Sequence, residues 1–382
     1  MGRSPDALWL NTSAAGAFAG FEISPIRGGW SDVAPNSGRF RRMRIGVLDV
    51  GSQGAHLDVL SLRSGRPVKV LAVVKRPTGL AGCLGPDGTI PPDGVERLVS
   101  AIRSTLNAAR RAGLREVLAF GTSSIRDAPN RTEVLARVTA SCGIPLGFLS
   151  GELDARLTYR GAREWVGPLP RSLFVADIGG GTLELAAGEE TDAYWAVSLP
   201  LGAGFLTRTR LPDDPPRPEH VEHLRDRLAR ELAVLRERRP APVPQDAAVL
   251  ATSKTLAQLA ALTGGLSPRG HPAITRRALR KHIPRLAGMR SAERALLNGI
   301  SARRAPQILA GALLAEAVMD AFCLKTLTVC PWALREGIAS AYRLPLDADH
   351  GDDEARAALG QEPVIELLGA VQALRAPLSK VG

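Results

Sequence analysis

Residues 175–188 read VADIGGGTLELAAG, and residues 47–60 read VLDVGSQGAHLDVL. Each stretch is an apolar run that ends in an aspartate, passes through a turn of small residues, and resumes as a second apolar run. That pattern predicts strand, turn, strand. The two aspartates, Asp49 and Asp177, lie 128 positions apart, a plausible domain length. A single Asp-x-Gly turn is most simply a tight hairpin. Two copies, one with Gly179, Gly180 and Gly181 in succession, point instead to a duplicated domain with an equivalent turn in each half. Facing each other across a cleft, two such turns would make a phosphate site at the domain interface. Glycine lets backbone N–H groups approach an anion with no Cβ in the way. The hydroxyls of Ser52 and Thr182 add short donors, and a strand-end aspartate can hold a hydrated divalent cation.

Working outward, strands and helices alternate from Met43 onward. Two further strands of a meander follow the first turn (56–62 and 69–76), and 94–112 carries its apolar residues on one helical stripe. Strands are expected at 115–122 and at 144–148 (IPLGF), with helices at 131–142 and 152–165. Beyond the second turn come a strand at 192–200, a long charged helix at 217–238, a strand at 247–253 and several helices. KTLTVCPWALREGI, at 325–338, closes the pattern with a strand and a helix. The reading is α/β, with one domain at 43–165, a second at 166–345, and a C-terminal tail with a short helix at 346–382. Residues 1–42, rich in Gly, Ser and Pro and without periodicity, read as a disordered extension, such as an upstream start codon would add.

Composition narrows the partners. The formal charge is +11, from 49 Lys plus Arg against 38 Asp plus Glu, and most of the positive charge is arginine, which suits bidentate recognition of phosphate oxygens. A basic surplus attracts polyanions in general. Aromatic residues are only 4% of the chain, and no basic run interleaved with aromatics favours single-strand stacking, so nucleic acid is not expected. No run approaches the length of a membrane helix. Cys83, Cys142, Cys323 and Cys330 have neither zinc-type nor disulfide-framework spacing, which fits reduced thiols in a cytoplasmic protein.

DVGSQGAHLDVL, FGTSSIRDAPNR, SGELDAR, DIGGGTLEL, SLPLGAGFLT, ATSKTLAQLA and WALREG follow one another across residues 43–340. In content and order they resemble the exopolyphosphatase and guanosine pentaphosphate phosphatase (Ppx/GppA) family, in its short two-domain form. The resemblance implies two ribonuclease-H-like domains of the actin-like ATPase superfamily with an active cleft between them. It also implies Mg²⁺-dependent hydrolysis of terminal phosphoanhydride bonds, in inorganic polyphosphate or in guanosine pentaphosphate, and it is compatible with a homodimer. By position, Gly51, Ser52, Gly179, Gly180, Gly181 and Thr182 match the family's phosphate-cradling loops. Asp49 and Asp177 match its cation-side carboxylates, Glu184 the acid that closes the second loop, and Arg126 an arginine that contacts the substrate chain. Read without the resemblance, Arg126 is still a natural contact for a phosphate chain, with an ordinary salt bridge to Asp127 or Glu133 as the lesser alternative, and Glu184 is an outward-facing strand residue.

The departures bear on substrate and rate. Gln53 stands where the family usually has asparagine, and Leu183 removes a hydroxyl from the second loop. ATSKT replaces a Gly-Gly-Thr turn, so Lys254 brings an ammonium to the phosphate or nucleotide end, unless it is simply solvated at a helix start. In SGELDAR the family's base, a glutamate before Ala-Arg, is matched by Asp154, which is shorter by one methylene. Glu152 and Asp154 are two apart, so on a helix they point roughly 200° away from each other and cannot share one cleft. Glu152 and Arg156, at i and i+4, fall together as a surface pair, which leaves Asp154 as the better base. A misplacement of about 1 Å can cost about a hundredfold in rate. A weakly catalytic polyphosphate- or nucleotide-binding regulator therefore stays open beside the hydrolase. An actin-like kinase or chaperone ATPase would carry an adenosine loop in place of ATSKT. The family's long members add a C-terminal helical domain, and only 45 residues follow WALREG, so shorter polyphosphates are the expected substrate.

Overall fold

The structure is a computed structural model and describes residues 42–378, apart from 86, 239–242, 245, 350 and 360. The expected extension at 1–42 therefore lies, but for Arg42, outside the described residues. Strands β1 (Arg42–Val50), β2 (Gly54–Arg63) and β3 (Arg66–Pro77) form a meander, followed by α1 (Pro92–Arg111), β4 (Glu116–Gly121), α2 (Ser123–Arg126) and α3 (Arg131–Cys142). Helix α4 (Gly151–Val166) leads to a second meander of β5 (Ser172–Ile178), β6 (Leu183–Glu189) and β7 (Asp192–Leu199). Then come α5 (Ala203–Arg210), α6 (Pro218–Glu237), β8 (Ala248–Thr252), α7 (Lys254–Thr263), β9 (Gly265–Leu266) and β10 (Pro272–Thr275). Helices α8 (Arg276–Ala287), α9 (Ser291–Arg294) and α10 (Ile308–Ala321) precede β11 (Thr326–Val329). The described chain ends with α11 (Leu334–Asp349), α12 (Asp353–Ala358), α13 (Glu362–Ala373) and β12 (Arg375–Pro377).

Two sheets result, ordered β12-β4-β1-β2-β3 and β7-β6-β5-β8-β11-β10-β9. In the first, β2 runs antiparallel to β1 and to β3, while β4 runs parallel to β1. In the second, β5, β6, β7 and β8 repeat that arrangement strand for strand. The duplication suggested by the two Asp turns is thus a duplication of topology.

The chain returns to the first sheet at its C-terminal end. Ile338, Ala339, Ala341 and Tyr342 of α11 pack with Ile45, Val47, Leu118 and Phe120, and β12 pairs antiparallel with β4. The segment expected to be the end of the second domain and a tail is therefore part of the first lobe. Its strand is three residues long, too short to show alternation. The same pairing explains why IPLGF is not a strand. β12 takes the edge of β4, and Gly147 keeps only an isolated bridge to Phe120, with Leu374 against its Cα.

Helix α4 lies between the sheets. Leu153 and Leu157 face the first, while Ala155, Tyr159 and Ala162 face the second. It crosses α11 at two glycines. A Cβ on Gly161 would lie 2.2 Å from the carbonyl oxygen of Ala333, and one on Gly337 would lie 1.7 Å from that of Leu157. Only glycine allows the two backbones this approach. Among the described residues no helix is long and apolar enough to cross a membrane.

Candidate active site

Strand register sets the site. Asp49, at the end of β1, lies opposite His56 on β2, and His56 lies opposite Lys75 on β3. At the equivalent level of the second sheet, Asp177 lies opposite Glu184 on β6, and Glu184 lies opposite Ser198 on β7. Cross-strand partners share a face, so each row projects to one side. Two carboxylates directly opposite each other destabilise a sheet, which marks the Asp177–Glu184 pair as retained for something other than stability. Glu184 is only 6% exposed, so the outward-facing alternative does not hold. Burial, then the charges of Asp154 and Asp177, hold its carboxyl well above the usual range, while Ser198 Oγ donates to it at 2.7 Å.

The turns leave backbone amides available. Gly51 N–H donates to the Gly54 carbonyl at 3.0 Å, and the Gly51 carbonyl accepts from Thr78 Oγ1 at 2.8 Å. In the second turn Gly179 N–H donates to the Thr182 carbonyl, and the start of α5 takes up the carbonyls. Ala203, Phe205 and Gly202 donate to the oxygens of Gly179, Gly180 and Gly181 at 2.9, 2.9 and 3.0 Å. Among the described residues the amides of Gly180 and Gly181 have no acceptor in a turn, loop or cap bond, and a Cβ on Gly180 would meet nothing within 4 Å. Such N–H groups form an anion-binding concavity. Gly202 keeps the turn in shape, because its Cβ would lie 2.3–2.4 Å from backbone atoms of Gly181 and Thr182. Gly202→Ala is expected to push the turn out of position and lower turnover at this site about a hundredfold with the fold intact. Parallel turnover and circular dichroism measurements check this.

Helix α4 delivers Asp154. Ser150 Oγ caps its start by accepting from Leu153 N at 3.2 Å, and Gly151 sits against Ser198. Glu152 Oε1 accepts from Arg156 Nε and Nη2 at 3.0 and 2.9 Å, the surface pair expected from the spacing. Asp154 lies on the opposite side, with Thr158 Oγ1 donating to it at 3.4 Å. Burial, then Asp177 and Asp49, push its carboxyl up to about 7. One carboxylate therefore stands within electrostatic reach of the strand-end aspartates of both lobes.

The cations frame this group. Arg126 is paired with Asp127 at 2.9 and 3.2 Å, the ordinary salt bridge, yet its charge acts on Asp154 and Glu184 as well. Ser123, in the same short helix, touches the second turn: a Cβ on Gly181 would lie 2.4 Å from its Oγ. Lys254 opens α7 after Ser253, which adopts φ 83° and ψ 153°, a region that glycine normally occupies. Burial and then Arg304 lower the Lys254 ammonium, and Lys75 of the other lobe feels Lys254 in turn. Thr252 Oγ1 donates to Asp177 at 2.6 Å.

A model of the Ppx/GppA phosphatase family matches residues 59–343. The chain belongs to this family. Exopolyphosphatase 1 of Mycobacterium tuberculosis is 43% identical over 305 residues, covering 78% of this chain and 87% of the relative. The protein of the same name from Mycobacterium leprae is 43% identical over 306 residues, 78% and 88% of the two chains. Among solved structures, the Ppx/GppA family member of Aquifex aeolicus superposes with a TM-score of 0.68 at 25% identity, covering 80% of this chain and 99% of its own. An exopolyphosphatase from Cytophaga hutchinsonii, at 21% identity and a TM-score of 0.66, shares the fold.

For this Ppx/GppA chain, sequence reasoning missed the residues that surround Asp49 and an arginine whose charge acts on Asp177. Arg335, in WALREG, donates through Nη1 to Asp49 Oδ2 at 3.1 Å and through Nε to Asp58 Oδ2 at 2.6 Å. His56 Nε2 lies 2.8 Å from Asp58 Oδ1. Arg304 donates to Thr255 Oγ1 at 3.1 Å, and its charge acts on Asp177. WALREG was the one available signal for Arg335, and spacing gives none, since Arg335 and Asp49 are 286 positions apart.

Proposed function

We propose that the protein hydrolyses terminal phosphoanhydride bonds of inorganic polyphosphate and releases orthophosphate. The observation that carries this reading is that Asp154 stands within electrostatic reach of the strand-end aspartates of both lobes, together with a glycine turn whose Gly180 and Gly181 amides have no turn, loop or cap acceptor among the described residues. The amides of Gly180 and Gly181 receive phosphoryl oxygens, and Gly51, Ser52 and Thr182 complete the cradle. Asp154 takes the proton of a water placed in line with the terminal phosphorus. Glu184 holds the far side of the acidic row, and Arg126 and Lys254 contact the chain behind its end.

The cleft suits Mg²⁺. Asp49, Asp154, Asp177 and Glu184 all have carboxyls raised by burial, so the row gains from a cation. Among the described residues no three His, Cys, Asp or Glu side chains form a ready-made cage. That fits an ion that keeps several waters and takes one or two carboxylates plus substrate oxygens. Asp177 and Asp49 would hold it. When bound, Mg²⁺ offsets the negative charge of the phosphoryl oxygens.

The test is orthophosphate release with Mg²⁺ from short polyphosphate, long polyphosphate and guanosine pentaphosphate. Polyphosphate turnover is expected, with Lys254→Ala raising KM several-fold at nearly constant kcat, as for lost uniform binding. Turnover of guanosine pentaphosphate alone would reassign the substrate. Tight polyphosphate binding without turnover of any of the three would make the protein a regulator.

A further inference from the structure

The segment from Cys330 to Arg335 runs from the second sheet to the first. Five residues before Arg335, Cys330 N–H still donates to Ala251 of the second sheet at 2.9 Å. The Arg335 guanidinium, at the second residue of α11, already lies on the first sheet between Asp58 and Asp49. Asp58 has a side chain only 3% exposed. Both of its oxygens are engaged, one by Arg335 Nε at 2.6 Å and the other by His56 Nε2 at 2.8 Å. Asp49 meets Arg335 through Oδ2 alone, at the longer distance of 3.1 Å. His56 and Asp58 alternate onto one face of β2, and Asp49 is the cross-strand partner of His56. All four groups therefore share one face of the sheet.

We propose that Asp58 is a positioning residue: it holds the Arg335 guanidinium back from Asp49, leaving the Asp49 carboxylate able to serve a divalent cation and the phosphate end. The inference rests on the phosphohydrolase reading of this cleft and adds a residue that touches neither substrate nor cation. A carboxylate at position 58 draws the larger share of the guanidinium. Without it Arg335 turns fully onto Asp49, and an entering cation must compete with a fixed internal one. A buried ion pair that only welded α11 to β2 would support folding and nothing else.

The test compares wild type with Asp58→Asn, Asp58→Glu and Arg335→Lys. Mn²⁺ binding to the substrate-free protein is read by electron paramagnetic resonance, alongside kcat, KM and the melting temperature. Asp58→Asn is expected to weaken Mn²⁺ binding and lower kcat by about ten- to a hundredfold, the usual effect of losing an outer partner of a cation ligand. KM for polyphosphate should stay within about twofold, because the substrate contacts remain, and Asp58→Glu should restore part of both losses. Should Asp58→Asn not fold, Arg335→Lys, whose single ammonium stays on Asp58 and cannot also reach Asp49, should shift Mn²⁺ affinity in the opposite direction, towards tighter binding, and weaker or unchanged binding in that variant overturns the proposal. A lowered melting temperature with Mn²⁺ affinity and kcat unchanged overturns the proposal, as does a wild type that binds no Mn²⁺. A wild type that binds Mn²⁺ more tightly than Asp58→Asn but turns over neither polyphosphate nor guanosine pentaphosphate leaves the positioning role standing and removes the phosphohydrolase reading.

Discussion

Asp154→Asn should abolish most phosphate release and, at the same time, make the protein more stable above neutral pH. General bases contribute about a hundred- to ten-thousandfold, so kcat should fall within that range. The stability change has the opposite sign. Burial and the neighbouring aspartates raise the Asp154 carboxyl from 3.8 to about 7, so the folded chain holds this proton more tightly than the unfolded one. The stability contributed by the protonated group is fully present below about pH 4 and is lost as pH rises through about 7. Asparagine has no proton to lose. Without added divalent ion, the variant should match wild type near pH 4 and exceed it at pH 8 by on the order of a few kcal/mol. Melting temperatures across that range check the sign. In the wild type, kcat/KM with Mg²⁺ should rise with pH as the carboxylate ionises, at a lower pH than in the metal-free chain, since a cation held by Asp177 and Asp49 offsets the charges that raise Asp154.

Gly337→Ala should have the largest effect on folding. The added methyl would meet the Leu157 carbonyl oxygen at 1.7 Å, with Gly161 N at 3.1 Å. These are backbone atoms of a helix packed on both sides, so no rotamer change relieves the clash and α4 and α11 must separate. Overpacking of this kind costs about 1–3 kcal/mol and occasionally more, and a backbone clash belongs at the upper end. A fall in melting temperature of roughly 10 °C is expected, with loss of activity, because α4 carries Asp154. Gly369→Ala in α13 is the matched control. Its Cβ meets nothing within 4 Å, and alanine is favoured over glycine in a helix by up to about 1 kcal/mol.

The most legible part of the molecule was its repeated unit. An apolar strand, an aspartate and a small-residue turn form a local signal, and finding it twice marked the hairpin that opens each sheet. The separation of Glu152 from Asp154 was legible for the same reason, since helix periodicity alone turns them apart and puts Glu152 with Arg156. What escaped was non-local. β12 joins the first sheet through three residues with no alternation, and its arrival also displaces IPLGF from the edge of β4. The burial of Glu184 follows from Ser198 and α4 closing over it, contacts that strand periodicity does not contain. Asp58 reads as one polar residue in HLDVL, and Arg335 as one more arginine in an arginine-rich chain. Only the fold brings them together around Asp49.

The most direct measurement is orthophosphate release from short polyphosphate with Mg²⁺ by wild type, Asp154→Asn and Glu152→Gln under identical conditions. Wild type and Glu152→Gln should release phosphate at similar rates, and Asp154→Asn should be slower by a hundredfold or more. Full activity in Asp154→Asn with loss in Glu152→Gln would contradict the assignment of the base, and with it the placement of the reacting water between the two lobes.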